Sequence, residues 1–226
     1  MKRLALTAVT GVLCTAALAA PIDQHVRGQI VSVTSDTLIV RSSTGADVSF
    51  ALNGGTHYLR VAPASLDKVE RGSYIGTPTK EIGSTQVALA VMIFPEAMRG
   101  LNAGHFPYDR LPDTTVSSKT TVTSMMTNGN VSAVASPAPG NVDTTMTNGN
   151  VSASTSSNGV KQLTITYAGG QQTVLVPPTT PIVKIVPGAV SDLSNGAYVF
   201  VDATQNGSAL TAGLVMAGVG GLKPPF

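Results

Sequence analysis

The segment RGQIVSVTSDTLIVRSSTGADVSFAL (27–52) decides the fold, because it carries three strand patterns separated by two tight turns. Apolar and polar residues alternate in its second and third strands, which is the periodicity of a half-buried strand. Ser35-Asp36 and Thr44-Gly45 are typical turn pairs. In the first strand, the neighbouring Ile30 and Val31 break the alternation, which indicates a twisted strand at a barrel wall. The segment therefore predicts an antiparallel three-stranded meander.

The same order of patterns returns in the second half of the chain. NGNVSA (148–153) echoes the first strand, LTITYAGGQQTVLV (163–176) echoes the next two, and GSALTAGLVMAG (207–218) echoes GSTQVALAVMIF (83–94). Helix-period apolar stripes are nearly absent, so the fold class is predicted to be all-β. The repeated set of short strands predicts two tandem small OB-like β-barrels joined by a Gly/Pro-rich connector, because closure removes exposed sheet edges. A β-sandwich is the structural rival.

Composition sets the predicted domain boundaries. Residues 1–19 are assigned to a signal peptide, 22–99 to the first barrel unit, 100–141 to the connector with a Ser/Thr-rich tract, and 142–222 to the second barrel unit. Within the tract MTNGNVSA occurs twice, at 126–133 and 146–153, and either copy could begin the second barrel. The closing AGVGG (217–221) lacks the spacing of a phosphate-binding loop and is predicted to be a flexible tail.

The first residues have the parts of a secretory signal peptide. Lys2 and Arg3 form a positive n-region, an apolar run follows, and Ala17-Leu18-Ala19 fits a cleavage site, so the mature chain is expected to begin at Ala20. The protein is therefore expected to be periplasmic or secreted. The only cysteine, Cys14, lies in the removed segment, so no disulfide is expected. No other stretch is long and apolar enough to predict a membrane span.

The charge balance argues against one class of partner. The chain has 14 basic residues, and two of them, Lys2 and Arg3, belong to the predicted signal peptide, so the remainder matches the 12 acidic residues. Proteins that bind nucleic acid usually carry a basic face that serves the phosphate backbone. We therefore expect no nucleic-acid partner.

Five segments carry a family likeness: RGQIVSV (27–33), VMIFPEAMRGLNAGHFPYD (91–109), TMTNGNVSA (145–153), LTITYAGGQQTVLVPPTTPIV (163–183) and GLKPPF (221–226). Together they resemble a family of secreted bacterial proteins built from a small repeated β-domain of unknown function. The resemblance implies an OB-like repeated β-domain and carries over no catalytic residues. Members of that family are sometimes labelled as metal-transporter permeases, a label that implies membrane spans.

Few residues are candidates for chemistry. The chain has three histidines, His25, His57 and His105, without the short local spacings of a zinc site. The nearest pair of ligand types is His105 with Asp109 in GHFPYD, and convergence with His57 would complete a metal or hydrolytic site. The simpler interpretation is a proline turn whose aromatic rings pack the connector onto a barrel. No catalytic residue and no cofactor is predicted.

These observations favour a non-enzymatic binding or scaffolding protein of the bacterial envelope. OB-like barrels bind oligonucleotides or oligosaccharides on their faces, but the balanced charge and the lack of tryptophan argue against nucleic acid and weaken the case for a carbohydrate ligand. The expected partner is an envelope protein or a small ligand. The alternative is a metal-handling or hydrolytic protein with a site at the inter-domain loop around His105.

Overall fold

The protein is all-β, as the sequence predicts, in the part that the computed structural model describes, residues 22–117, 120–136 and 159–226. The strands are β1 (Ile22–Val33), β2 (Thr37–Ser42), β3 (Asp47–Ala51), β4 (His57–Pro63), β5 (Tyr74–Ile82), β6 (Thr85–Ala88), β7 (Val91–Ile93), β8 (Gly104–Pro112), β9 (Thr121–Ala135), β10 (Lys161–Tyr167), β11 (Gly170–Val176), β12 (Ile182–Pro187), β13 (Tyr198–Asn206) and β14 (Ala209–Gly218). Short 3₁₀ turns lie at Leu66–Lys68, Glu96–Met98, Val190–Asp192 and Val219–Gly221. Over these ranges no helix has the length and apolar character that crossing a membrane requires.

The first barrel is a closed ring of five strands. β1, β2 and β3 form the predicted meander, β13 pairs with β1, and β13 and β14 form a hairpin. A parallel contact between β14 and β3, at Thr211 and Ala51, closes the ring. Alternate residues of each strand point inward and fill the barrel with apolar side chains. Leu38, Phe50 and Val201 are among the fully buried ones.

Strand β1 pairs along both edges, and Gly28 is the residue that permits it. Gly28 pairs with β13 on one side and with Ser42 of β2 on the other. A Cβ atom at this position would lie 2.0 Å from the carbonyl oxygen of Arg41, so the close approach requires glycine. The register then shifts between Ile30 and Ser32, where the sequence alternation breaks.

The second ring of strands has the same plan, and we call it the second barrel. β9, β10 and β11 form its meander, β5 and β6 form its hairpin, and β5 pairs with β9. A short parallel pairing of β6 with β11, at Gln86 and Val174, closes the ring. Its core includes Ile75, Leu163 and Ile165, none of which is exposed to solvent.

Each barrel takes strands from both halves of the chain. The first barrel joins the meander of residues 22–51 to the hairpin of residues 198–218, and the second joins the hairpin of residues 74–88 to a meander that begins at residue 121. The sequence predicts tandem barrels, each built from one half, and the strand pairings differ from that expectation. The repeat could not reveal the exchange, because the two hairpins have similar alternation and either one suits either meander.

Strands β4 and β12 carry the chain between the barrels and form a seam. They pair antiparallel, with Val61 opposite Ile185, which are equivalent residues of the two sequence repeats. β4 also pairs in parallel with β14, and β12 with β7, so one sheet of 14 strands runs through both barrels. A third apolar core lies along this seam and includes Met126, Phe200 and Phe226. Because the barrels share this buried surface, we expect them to unfold together.

The two copies of the octapeptide MTNGNVSA differ in where they lie in the protein. Its upstream copy (126–133) lies in β9, inside the stretch 100–141 that the sequence assigns to the connector. Gly129 of this copy takes the place that Gly28 has in the first barrel, since its Cβ would lie 2.4 Å from the carbonyl oxygen of Thr166. The downstream copy (146–153) lies outside the described residues. The upstream copy therefore supplies the first strand of the second barrel.

Candidate functional site

A cleft of about 740 Å³ lies between the first barrel and the far end of β8. Its walls come from β1 and the β2–β3 turn, from the connection between β8 and β9, and from residues 223–226. These parts are distant in sequence, and the arrangement of the two barrels brings them together. The cleft therefore depends on the assembled fold and not on any one segment.

The lining of the cleft combines basic and apolar side chains. Arg27, Arg41, Arg110 and Lys223 line it, and no Asp or Glu is among the described residues that line it. Leucine, proline and tyrosine side chains supply the apolar part, and serines and threonines add hydroxyl groups. Such a surface suits a ligand that has both a negative and an apolar portion, because basic side chains can contact the first and apolar side chains the second.

Arg27 is held in place by the protein itself. Its Nη2 donates a hydrogen bond to Asp109 Oδ2 at 2.6 Å, and its Nε donates to the backbone oxygen of Phe226 at 2.7 Å. The guanidinium also lies over the ring of Phe200, 5.0 Å from the ring centroid. These contacts join β1, β8, β13 and the last residues of the structure. Arg27 is therefore a fixed part of the cleft wall.

Asp109 is the centre of a small polar cluster behind the cleft. His25 Nδ1 lies 2.8 Å from Asp109 Oδ2, and His25 Nε2 lies 3.7 Å from an oxygen of Asp202. Burial raises the pKa of the Asp109 carboxyl, but hydrogen bonds from Arg27 and His25 outweigh it, so the net shift of this pKa is downward. Burial also raises the pKa of Tyr108 to about 12. At neutral pH the cluster therefore holds an ionised Asp109 beside a neutral Tyr108.

The remaining cations of the cleft differ in how their charge is satisfied. Arg41 forms a bidentate ion pair with Asp47, with N–O distances of 2.9 and 3.0 Å. Arg110 donates from Nη2 to the backbone oxygen of Thr121 at 3.1 Å. For Lys223 no hydrogen bond or ion pair is found within the described ranges. Arg110 and Lys223 are both exposed, so they are the cations best able to meet a ligand.

AGVGG (217–221) forms the end of β14 and a 3₁₀ turn, and the segment after it is anchored, so the prediction of a flexible tail is wrong. Phe226 is only 2% exposed, and its ring centroid lies 5.8 Å from that of Phe200. A 3₁₀ turn at Val219–Gly221 directs the chain toward the seam. The apolar character of a single phenylalanine was too little signal, beside the glycines, to predict this docking. The anchor holds Lys223 at the mouth of the cleft.

The residues proposed from sequence as a metal site occupy different surroundings. His105 Nδ1 lies 2.9 Å from the hydroxyl of Thr127, and His57 is an exposed residue at the start of β4. Asp109 is engaged by Arg27 and His25. Across the described residues there is no group of three or more His, Cys, Asp or Glu side chains that could hold a metal ion. The metal site stays a prediction without support from this arrangement.

Sequence reasoning missed the basic residues of the cleft. Arg27, Arg110 and Lys223 are far apart along the chain and belong to no common motif. The one sequence signal is GHFPYD, directly before Arg110, a segment predicted to pack on a barrel. This segment does contact the first barrel, through the hydrogen bond between Asp109 and Arg27. Clusters of this kind become visible only when the strand order is known.

We expect Asp109→Asn to lower the stability of the protein at neutral pH by about 1–2 kcal/mol, because charge-assisted hydrogen bonds from Arg27 and His25 are lost. The pKa of Asp109 is lower in the folded than in the unfolded chain, so its stabilisation is present above about pH 4 and is lost as the pH falls through the folded pKa. Urea unfolding at pH 7 and pH 3 measures this. The exposed Asp67→Asn serves as the control and should change neither value. Equal destabilisation by Asp109→Asn at both pH values would contradict the expectation.

Comparison of the chain with protein-family models, with curated proteins and with solved structures gives no match. The resemblance to a secreted bacterial family therefore stays a prediction, and functional conclusions depend on the geometry of the molecule.

Proposed function

We propose that this chain is an extracytoplasmic, non-enzymatic binding protein and that the cleft is its ligand site. The observation that carries the proposal is the cleft itself, with a volume of about 740 Å³, mixed basic and apolar walls and contributions from both halves of the chain. Small-molecule sites commonly have volumes of about 300–1,000 Å³ and favour the junction between structural units. A small ligand therefore fits the cleft better than a large protein partner does.

The OB-like interpretation of the barrels belongs to the same proposal. Each barrel is a three-stranded meander closed by a hairpin, with one parallel contact, and this supports an OB-like plan. OB folds usually bind ligands at the face of strands 2 and 3 and at the loops that follow strands 1 and 4. In the first barrel those loops contain residues 34–36 and 207–208, which do not line the cleft. Fold likeness therefore does not identify the ligand.

The proposed location follows from residues 1–19, which lie outside the described residues. Their signal-peptide pattern supports export, so we place the binding function in the periplasm or outside the cell. In that setting the protein would capture a small ligand of the envelope, or hold one while it contacts an envelope protein.

Native mass spectrometry tests the binding function directly. The purified chain is incubated with a small-molecule extract of bacterial envelopes, desalted and measured, and the retained compound is then released by denaturation. We expect one class of compound to be retained and to be recovered with unchanged mass, because the protein binds without chemistry.

Two tryptophan variants locate the ligand. Ser43→Trp places a bulky ring in the cleft lining, whereas Ser84→Trp places the same ring on an exposed hairpin turn of the second barrel. Retention should be lost with Ser43→Trp and kept with Ser84→Trp. Equal retention by both variants, or recovery of a chemically altered compound, would contradict the proposal.

A further inference from the structure

We propose that the ligand of the cleft is an amphiphilic anion, that is, a carboxylate or phosphate group carried on an apolar body. This inference rests on the proposed binding function and names its ligand class. The chain has nearly equal numbers of basic and acidic residues, 14 and 12, yet the described residues that line the cleft include four basic side chains and no Asp or Glu. A cleft lined by one sign of charge concentrates ligands of the opposite sign.

Two of the four cations are placed to contact the anion. Arg27 is occupied by Asp109 and by the Phe226 backbone, and Arg41 is paired with Asp47. A guanidinium has five N–H donors, and the structure shows one hydrogen bond from Arg110, to a backbone oxygen. Lys223 keeps three ammonium donors for a ligand. Arg110 and Lys223 therefore offer charge-assisted hydrogen bonds that a carboxylate or phosphate can accept.

The apolar part of the lining requires more than a small inorganic ion. Pro112 is exposed and Pro225 and Tyr198 are partly exposed in the lining, beside the buried Leu111 and Pro224. A bare phosphate would leave this surface facing water. An alkyl or aryl body would cover it, and burial of apolar area contributes about 25 cal/mol per Å². The walls thus select an anion that carries an apolar body.

Titration calorimetry with four probes tests the ligand class. Octyl phosphate and octanoate, used below their micelle concentrations, carry both features. Octyl glucoside has the apolar body without the charge, and inorganic phosphate has the charge without the body. We expect both amphiphilic anions to bind at least about tenfold more tightly than octyl glucoside or inorganic phosphate. Octyl glucoside lacks the contacts with the cations, and inorganic phosphate lacks the apolar contacts. Binding of octyl glucoside as tight as that of octyl phosphate would overturn the inference.

Charge variants identify the residues. Arg110→Gln combined with Lys223→Gln should weaken octyl phosphate binding by at least about tenfold, because two charge-assisted hydrogen bonds are replaced. Arg71→Gln combined with Lys184→Gln removes the same charge from exposed positions outside the lining and should leave the affinity unchanged. Unchanged binding by the first pair, or an equal loss in both pairs, would overturn the inference. Denaturant unfolding of each variant shows whether it is folded.

The failure of this inference can be told apart from failure of the binding function. If octyl glucoside binds as well as the anions and Ser43→Trp abolishes binding of all octyl probes, the cleft is a binding site but not for anions. If no probe binds and the envelope extract leaves no adduct, both proposals fall.

A last arm separates two sources of the same chemistry. Cosedimentation of the chain with phosphatidylglycerol vesicles, but not with phosphatidylcholine vesicles, assigns the anion to a lipid headgroup. Octyl phosphate binding without cosedimentation assigns it to a soluble amphiphile. Either result agrees with the proposed ligand class.

Discussion

Gly28→Ala and Gly129→Ala are each expected to destabilise the protein by about 3 kcal/mol or more, a large effect for the addition of one methyl group. In each case the new Cβ would lie far inside van der Waals contact with a backbone oxygen, at 2.0 Å from Arg41 for Gly28 and 2.4 Å from Thr166 for Gly129. Backbone in the middle of a closed barrel cannot move away without breaking neighbouring strand pairs. The strand must therefore shift, and the hydrogen bonds of two ladders weaken together.

Gly213→Ala is the matched control for these two variants. Gly213 also lies within a barrel strand, but its Cβ would be in ordinary contact, 3.7 Å from the nearest oxygen. Its replacement should change stability by no more than about 0.5 kcal/mol. Urea unfolding of the three variants and the parent gives the free energies. If Gly129→Ala matched the control while Gly28→Ala did not, the two barrels would not share the same plan.

Phe226→Ala is expected to cost about 3–5 kcal/mol, the range for a buried phenylalanine truncated to alanine. Phe226 packs in the seam core, with Phe200 as a ring neighbour, and its backbone oxygen accepts a hydrogen bond from Arg27. Its removal leaves a cavity between the barrels and frees residues 223–225 from the cleft wall. We therefore expect both lower stability and weaker binding of amphiphilic anions.

Val219→Ala is the control for this effect. Val219 lies close to Phe226 in sequence but is 42% exposed, so its truncation should change stability by less than about 0.5 kcal/mol. Thermal and urea unfolding measure both variants. A Phe226→Ala protein as stable as the parent would mean that the last residues do not pack into the seam in solution.

Much of the fold could be predicted from local pattern. The alternation in residues 37–51 and the turn at Gly45 predict the meander of the first barrel, and the break at Ile30 coincides with the register shift in β1. These features depend on neighbours in sequence, which single-sequence reasoning describes well.

The hairpin that closes each meander could not be predicted, because the two pair over a large separation in sequence. The two hairpins, in residues 74–88 and 198–218, are similar enough that the sequence repeat fits both the tandem and the exchanged arrangement. The residues of the cleft could not be predicted for the same reason. His105 and Asp109 stand out by residue type, whereas Arg110 and Lys223 are recognised as neighbours only when the fold places both in the lining of one cleft.

Four engineered cysteine pairs test whether the hairpins are exchanged between the barrels. In the structure Gln29 of β1 lies opposite Tyr198 of β13, and Asn130 of β9 lies opposite Tyr74 of β5. Tyr74 and Tyr198 are equivalent residues of the two repeats, so a tandem arrangement would interchange them. Directly opposed residues of antiparallel strands have Cα separations of about 4.5–5.5 Å, which a disulfide can span.

The chain without its predicted signal peptide has no cysteine, so each double variant contains a single possible intramolecular bond. Gln29→Cys is combined with Tyr198→Cys or with Tyr74→Cys, and Asn130→Cys is combined with the same two. After mild oxidation, peptide mapping by mass spectrometry measures the disulfide in each variant. We expect disulfide bonds between positions 29 and 198 and between positions 130 and 74, and none in the interchanged pairs. Disulfide bonds in the interchanged pairs, 29 with 74 and 130 with 198, would contradict the exchange of hairpins.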